Sequence, residues 1–211
     1  MSHNSSSLAT MIGSRICHDL ISPLGAVNNG LELMQLSNVL QSPELSLISQ
    51  SVAYANARIR FFRLAFGMAS EDQMTGAEEV NAILQDLQID GRLQISAFPQ
   101  GVHPRSQVRA ILLAILCAEQ AVPFGGQISI SEQNGTWVVS AQSDRLKPDP
   151  ELWKLLNDVN LAHSLTPAAV QFAILPDLLP GIGMACSTQI SANLAEIRIT
   201  PASHHPPSQG I

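Results

Sequence analysis

Four side chains in one short stretch carry groups able to do chemistry. In SRICHDLISPLGAVNNGLELM, residues 14–34, Cys17, His18, Asp19 and Ser22 offer a thiol, an imidazole, a carboxylate and a hydroxyl. Imidazole changes charge near neutral pH and can act as a nucleophile. A Cys–His nucleophile pair needs hydrogen-bond reach, but neighbours on a helix diverge by about 100°. Cys17 therefore reads as packing, and Asp19 can reach the ring of His18 only from its side. Ser22, four residues on, shares the face of His18.

The element that positions these groups is a helix. It starts near Ser5–Ser7, which are good N-cap residues, and fades near Ser37. Ile12, Ile16, Leu20, Leu24, Val27, Leu31 and Met34 recur at spacings of three and four and form one apolar stripe. His18 falls roughly 180° from the centre of that stripe. Ser14, Arg15, Ser22, Gly25 and Asn29 surround it on an outer face of small and polar residues. Periodicity alone leaves it a solvated surface histidine. Pro23 cannot donate to the carbonyl of Asp19 and predicts a kink just past the histidine, at a cost of roughly 3 kcal/mol to an ordinary helix. Gly25 leaves room on the outer face.

Asn38 to Pro43 reads as a turn, and Pro43 with Glu44 opens a second helix running to about Gly67–Ser70. Leu45, Ile48, Val52, Ala55, Ile59, Phe62 and Phe66 alternate three and four apart, a heptad seam. Two helices cannot enclose such a seam. A symmetric pair of hairpins would, as a four-helix bundle in a homodimer. Tyr54, Phe61 and Leu64 lie on the far side and predict packing on a dimer mate or a second domain. With the turn near residue 40, His18 stands opposite about residue 62, so Arg60 and Arg63 lie near its height. They are candidates to balance negative charge there, or else solvated arginines flanking the seam.

The remainder alternates. Helices are expected at Gly76–Gln88, Pro104–Val122, Asp149–Leu161 and Thr166–Leu179. Strands are expected at Arg92–Phe98, at Gln127–Glu132 and Thr136–Gln142 around an Asn134-Gly135 turn, and at Met184–Ser191 and Leu194–Thr200. Helices with antiparallel hairpins predict an α+β domain. The divisions are a helical hairpin at 1–70, a linker at Ala69–Thr75, an α/β domain at 76–200 and a flexible tail at 201–211.

Composition narrows the function classes. A formal charge of -6 without a basic cluster argues against nucleic acid. The longest apolar run, Ala110 to Ala118, is too short to span a bilayer, and the opening MSHNSSSLATMIG lacks the basic n-region of a secretory signal. Cys17, Cys117 and Cys186 are few, odd in number and dispersed, which suits reduced thiols in the cytoplasm and gives no metal-ligand spacing.

His18, Asp19 and Pro23 form H-[DE]-x-x-x-P, which resembles the H-box of bacterial sensor histidine kinases. The longer string CHDLISPLGAVNNGLELM is closer to the dimeric bacterial histidine phosphotransferases of the ChpT type. The resemblance implies a hairpin that completes a four-helix bundle on dimerisation, then an α/β sandwich like a degenerate kinase ATP-binding domain. It implies that His18 is the phosphoacceptor through Nε2, with Asp19 holding the proton on the other nitrogen. Ser14, Arg15, Ser22, Gly25 and Asn29 would dock the partner. That partner would be a response-regulator receiver domain, of a hybrid kinase upstream or of a regulator downstream, which brings its own Mg²⁺. No ATP, cofactor or metal of the chain's own is expected. The kinase N-box asparagine has no counterpart, since Pro104–Val122 holds neither Asn nor Asp. QSDRLKPD, residues 142–149, stands where an Asp-x-Gly-x-Gly loop belongs. Phosphate relay between receivers, rather than ATP-dependent kinase activity, is the expectation. A dimeric scaffold that binds receivers without accepting phosphate is the alternative.

Overall fold

The structure is a computed structural model and describes residues 13, 20–21, 24–34, 43–70, 72–88, 91–158 and 165–202. Helix α1 covers residues 24–34, and α2 covers Pro43–Phe66, with Glu44 in its first turn and Arg63 in its last. These charges suit the dipole at each end. There follow β1 (Met74–Gly76), α3 (Ala77–Asp86), β2 (Leu93–Ile95), β3 (Val102–Pro104), α4 (Arg105–Ala121), β4 (Gly126–Gln133), β5 (Thr136–Gln142), α5 (Pro150–Leu155), α6 (Gln171–Leu178), β6 (Met184–Ile190) and β7 (Leu194–Pro201). The architecture is α+β.

The main sheet has the order β2-β4-β5-β7-β6. β2 lies parallel to β4 and the other pairs are antiparallel. Asn134 (φ 53) and Gly135 (φ 76) turn the β4–β5 hairpin, since a tight hairpin needs left-handed backbone at both turn positions. β1 and β3 form a separate antiparallel ribbon.

One face of the sheet is apolar with period two. Ile128 and Ile130, then Trp137, Val139 and Ala141, then Ala195, Ile197 and Ile199 are all buried there. α4 lies on that face, and α2 and α6 pack on α4. Every residue from Ala110 to Ala118 is at most 6% exposed. A helix apolar all round belongs inside a core, which accounts for the run that is too short for a membrane. No helix among the described residues is long and apolar enough to cross one.

The core continues onto α2, where Ala57, Phe61, Leu64 and Ala65 join the cluster formed by α3, α4 and the sheet. Phe61 and Leu64 thus pack into the core formed with α3, α4 and the sheet. Tyr54 lies partly buried at the edge of that cluster.

Several boundaries differ from expectation for identifiable reasons. The β2 ladder ends at Ile95, beyond which the Ser96 hydroxyl accepts the Ile130 N–H (2.8 Å) and the Asn81 carboxamide occupies the backbone of Phe98, accepting from its N–H (2.7 Å) and donating to its carbonyl (3.2 Å). The expected linker ends in β1, and the Gln73 carbonyl accepts the first N–H of α4 at 2.8 Å. α5 stops at Leu155, with 159–161 of the expected helix outside the described residues. Thr166–Leu179 is a 3-10 turn at Pro167–Ala169 followed by α6, which contains Pro176. Most of the first expected helix and the tail from 203 also lie outside the described residues.

Candidate functional site

His18, Asp19, Ser14, Arg15, Ser22, Pro23 and Cys17 lie outside the described residues. The flanking positions frame them. A Cβ on Gly13 would lie 3.9 Å from Cβ of Phe66. At the other end, Asn28, Leu31 and Glu32 of α1 line a shallow cavity of about 350 Å³ with Ser46, Ser49, Gln50 and Ala53 of α2. Gly13 therefore meets the end of α2, and α1 meets its beginning, the arrangement of an antiparallel hairpin. Gly25 is half-buried and Asn29 exposed. Nothing among the described residues lies within 4 Å of a Cβ placed on Gly25, so that surface is open.

Both helices leave apolar side chains in water. Leu20, Val27 and Met34 of the predicted stripe are 45%, 49% and 38% exposed, and Ile48 of the seam is 50% exposed. Val52, Ala55, Ile59, Phe62 and Phe66 are half-buried. Leu45 alone of the seam is buried.

The arginines of α2 have separate surroundings. Arg60 forms an ion pair with Asp86 of α3. Arg63 is exposed, and its carbonyl accepts from Gly67 N–H (3.1 Å) and from Arg105 Nη2 (3.3 Å). Arg109 Nε donates to the carbonyl of Ala65 at 3.2 Å. The last carbonyls of a helix have no partner within it, and two cations from α4 serve them here. Burial pushes the Arg105 guanidinium down from its ordinary value, opposed by Glu79, and burial does the same to Arg109.

Sequence reasoning missed the ion network on the opposite flank. Glu119, near the end of α4, accepts from Arg58 Nη1 at 2.8 Å and from Arg92 Nη2 at 2.9 Å. Its side chain is 14% exposed. The Arg58 guanidinium lies 5.1 Å from the centroid of the Phe62 ring. These residues border a groove of about 610 Å³ between α2, the end of α4 and the 167–171 turn, with Phe66, Leu116 and Val170 on its apolar side. The one signal for this in the sequence was a carboxylate near the end of an otherwise apolar helix, since buried acids are rare unless paired.

Among the described residues no three His, Cys, Asp or Glu side chains gather as a metal cluster. Cys117, in the last third of α4, is fully buried, and burial pushes its thiol far up.

Residues 77–193, more than half of the chain, match the family described as histidine phosphotransferase C-terminal domain. Protein phosphotransferase ChpT of Brucella abortus (strain 2308) is 29% identical over 154 residues, which span 70% of this chain and 73% of that protein. A solved bacterial phosphotransferase superposes with a TM-score of 0.65 at 23% identity, over 94% of this chain and 97% of that one. The histidine kinase domain of a blue-light activated histidine kinase from Erythrobacter litoralis EL346 gives a TM-score of 0.46 at 15% identity, over 94% of each chain.

Proposed function

The chain belongs to the histidine phosphotransferase family, and from that membership we propose that His18 carries a phosphoryl group from one receiver-domain aspartate to another. The observation that carries this reading is the family match over 77–193, preceded in the chain by HDLISP at residues 18–23. The levels at the two framed ends of the hairpin support it. A first helix continuous between them would bring residue 18 near the level of Phe61 and Phe62.

The neutral imidazole attacks phosphorus through Nε2. The P–O bond to the donor aspartate breaks as the P–N bond forms, and the aspartate leaves as a carboxylate. The proton stays on the other ring nitrogen, whose N–H donates a hydrogen bond to the Asp19 carboxylate, and this fixes the tautomer. In the second half the P–N bond breaks and an acceptor aspartate takes the phosphoryl group. The receiver supplies Mg²⁺, and this chain supplies position and an open face made by Ser14, Arg15, Ser22, Gly25 and Asn29. Pro23 bends the helix just past the histidine. Arg63, exposed beside this level, is the better placed of the two candidate cations, because Arg60 is engaged by Asp86.

The protein works as a homodimer. A second copy covers Leu20, Val27, Met34 and Ile48 and completes a four-helix bundle. It draws on neither ATP, nucleic acid nor membrane, and it meets its receivers in the cytoplasm.

Incubation with an aspartyl-phosphorylated receiver tests the reading. Acid-labile label on the wild type and none on His18→Gln is expected. Wild type left unlabelled by every receiver of its source organism would leave a receiver-binding scaffold. Self-labelling from ATP alone would make it a kinase. Light scattering that gives the mass of one chain at micromolar concentration would refute the dimer.

A further inference from the structure

The second domain holds α2 on both flanks and at its end. Arg60 is tied to Asp86 on one flank. Arg105 and Arg109 are bonded to the carbonyls of Arg63 and Ala65 at the end. On the other flank one carboxylate, Glu119, is shared between Arg58 of α2 and Arg92, which leads into β2. Arg58 in turn lies over the ring of Phe62, one turn further along α2. The position of one side chain on α4 is therefore passed to residues 58–62 of α2.

The charges make this link sensitive. One carboxylate between two guanidiniums leaves a net positive charge, and the carboxylate is largely shielded from solvent. Replacing it with a neutral group leaves two like charges facing each other, with Arg58 no longer held over Phe62.

We infer that Glu119 is a positioning residue for phosphoryl transfer, clamping α2, and with it the helix that bears His18, to a second domain that serves as a fixed mount. This rests on the phosphotransfer reading above. Transfer needs the attacking nitrogen aligned with phosphorus, and small misplacements of a reacting group are costly in rate. A mount that does not swing keeps that alignment from one receiver to the next.

The test uses the full chain as wild type, Glu119→Gln, Glu119→Asp and Arg58→Gln, with an aspartyl-phosphorylated receiver at varied concentration. Glu119→Gln is expected to lower the maximal transfer rate about tenfold, with the half-saturating receiver concentration within about twofold of wild type. Hydrogen exchange across residues 55–66 should rise in the same variant. Arg58→Gln, which breaks the link from the other side, should reproduce both effects. Glu119→Asp, which keeps the charge, should recover part of the rate. A Glu119→Gln rate within about twofold of wild type overturns the inference. So does a slower rate with unchanged exchange at 55–66, since the effect would not then run through α2. A wild type that accepts no label overturns the phosphotransfer reading and the transfer role of Glu119 together, and exchange then reports only whether the clamp exists.

Discussion

Phe61 and Phe62 are neighbours on α2 with opposite surroundings, and substituting each by alanine separates the two faces of that helix. Phe61 is fully buried in the core shared with α3 and α4, whereas Phe62 is half-buried beside the groove. Truncating a buried phenylalanine removes its transfer free energy and leaves a cavity, together about 3–5 kcal/mol. At 0% exposure Phe61→Ala belongs in the upper half of that range, about 4 kcal/mol. Phe62 has less surface to lose and solvent to fill the gap, so Phe62→Ala should cost about 1–2 kcal/mol, including its contact with Arg58. For a chain of this size 1 kcal/mol moves Tm by about 2–4 °C. Phe61→Ala should then melt about 10 °C lower, and Phe62→Ala only a few degrees lower. Urea unfolding followed by circular dichroism, at one fixed protein concentration because self-association stabilises by mass action, gives both values. Equal losses, or a Phe61→Ala loss under about 1 kcal/mol, would refute the assignment of that face to the second domain.

Asn81→Ala should cost about 2 kcal/mol, read as a lower urea midpoint, because it strips both partners from the backbone of Phe98. Two glycine substitutions should differ in sign. Gly126→Ala puts a Cβ 2.5 Å from the Gln142 carbonyl oxygen and should lower stability by about 2 kcal/mol or more. Gly30→Ala meets nothing within 4 Å on exposed α1 and should raise it by about 0.5–1 kcal/mol. Burial pushes the Cys186 thiol from the ordinary 9.0 up to about 11. The fold favours the protonated thiol, so its contribution is complete below pH 9 and is lost as pH rises through about 11. Melting temperatures across that range should decline less steeply for Cys186→Ala.

The elements legible in the sequence were those whose own period carries the signal. The helical wheel of α2 placed Phe61 and Leu64 opposite Phe62, and burial separates them in the same way. Asn134-Gly135 marked its hairpin because left-handed backbone is a local demand. Features set by distant partners left no such trace. β1 and β3 are three residues each, too short for a period to register, and they pair across all of α3 and β2. The chain just past β2 is held by Asn81, a residue of α3, through the backbone of Phe98. The network at Glu119 joins three separate elements, and no local pattern records that Arg58, Arg92 and Glu119 meet. Of the site, HDLISP was legible through its resemblance to a known motif; the outward face expected for His18 falls outside the described residues. The role of the second domain in holding α2 was not, because it depends on a contact between faces rather than on either face.

The core that runs without a break from Ala57 and Phe61 on α2 to Ile197 and Ile199 on β7 governs how the molecule unfolds. Side chains in one close-packed interior lose their neighbours together, so the second half of α2 and the sheet should melt in a single transition. The family match spans 77–193 and omits both ends of that interior. It begins after the helix that supplies Phe61 and Leu64, and stops before the strand that supplies Ala195, Ile197 and Ile199. The inherited module and the cooperative folding unit thus have different boundaries. A fragment cut to the module would lack a central strand of its sheet and bare the surface of α4 that α2 covers.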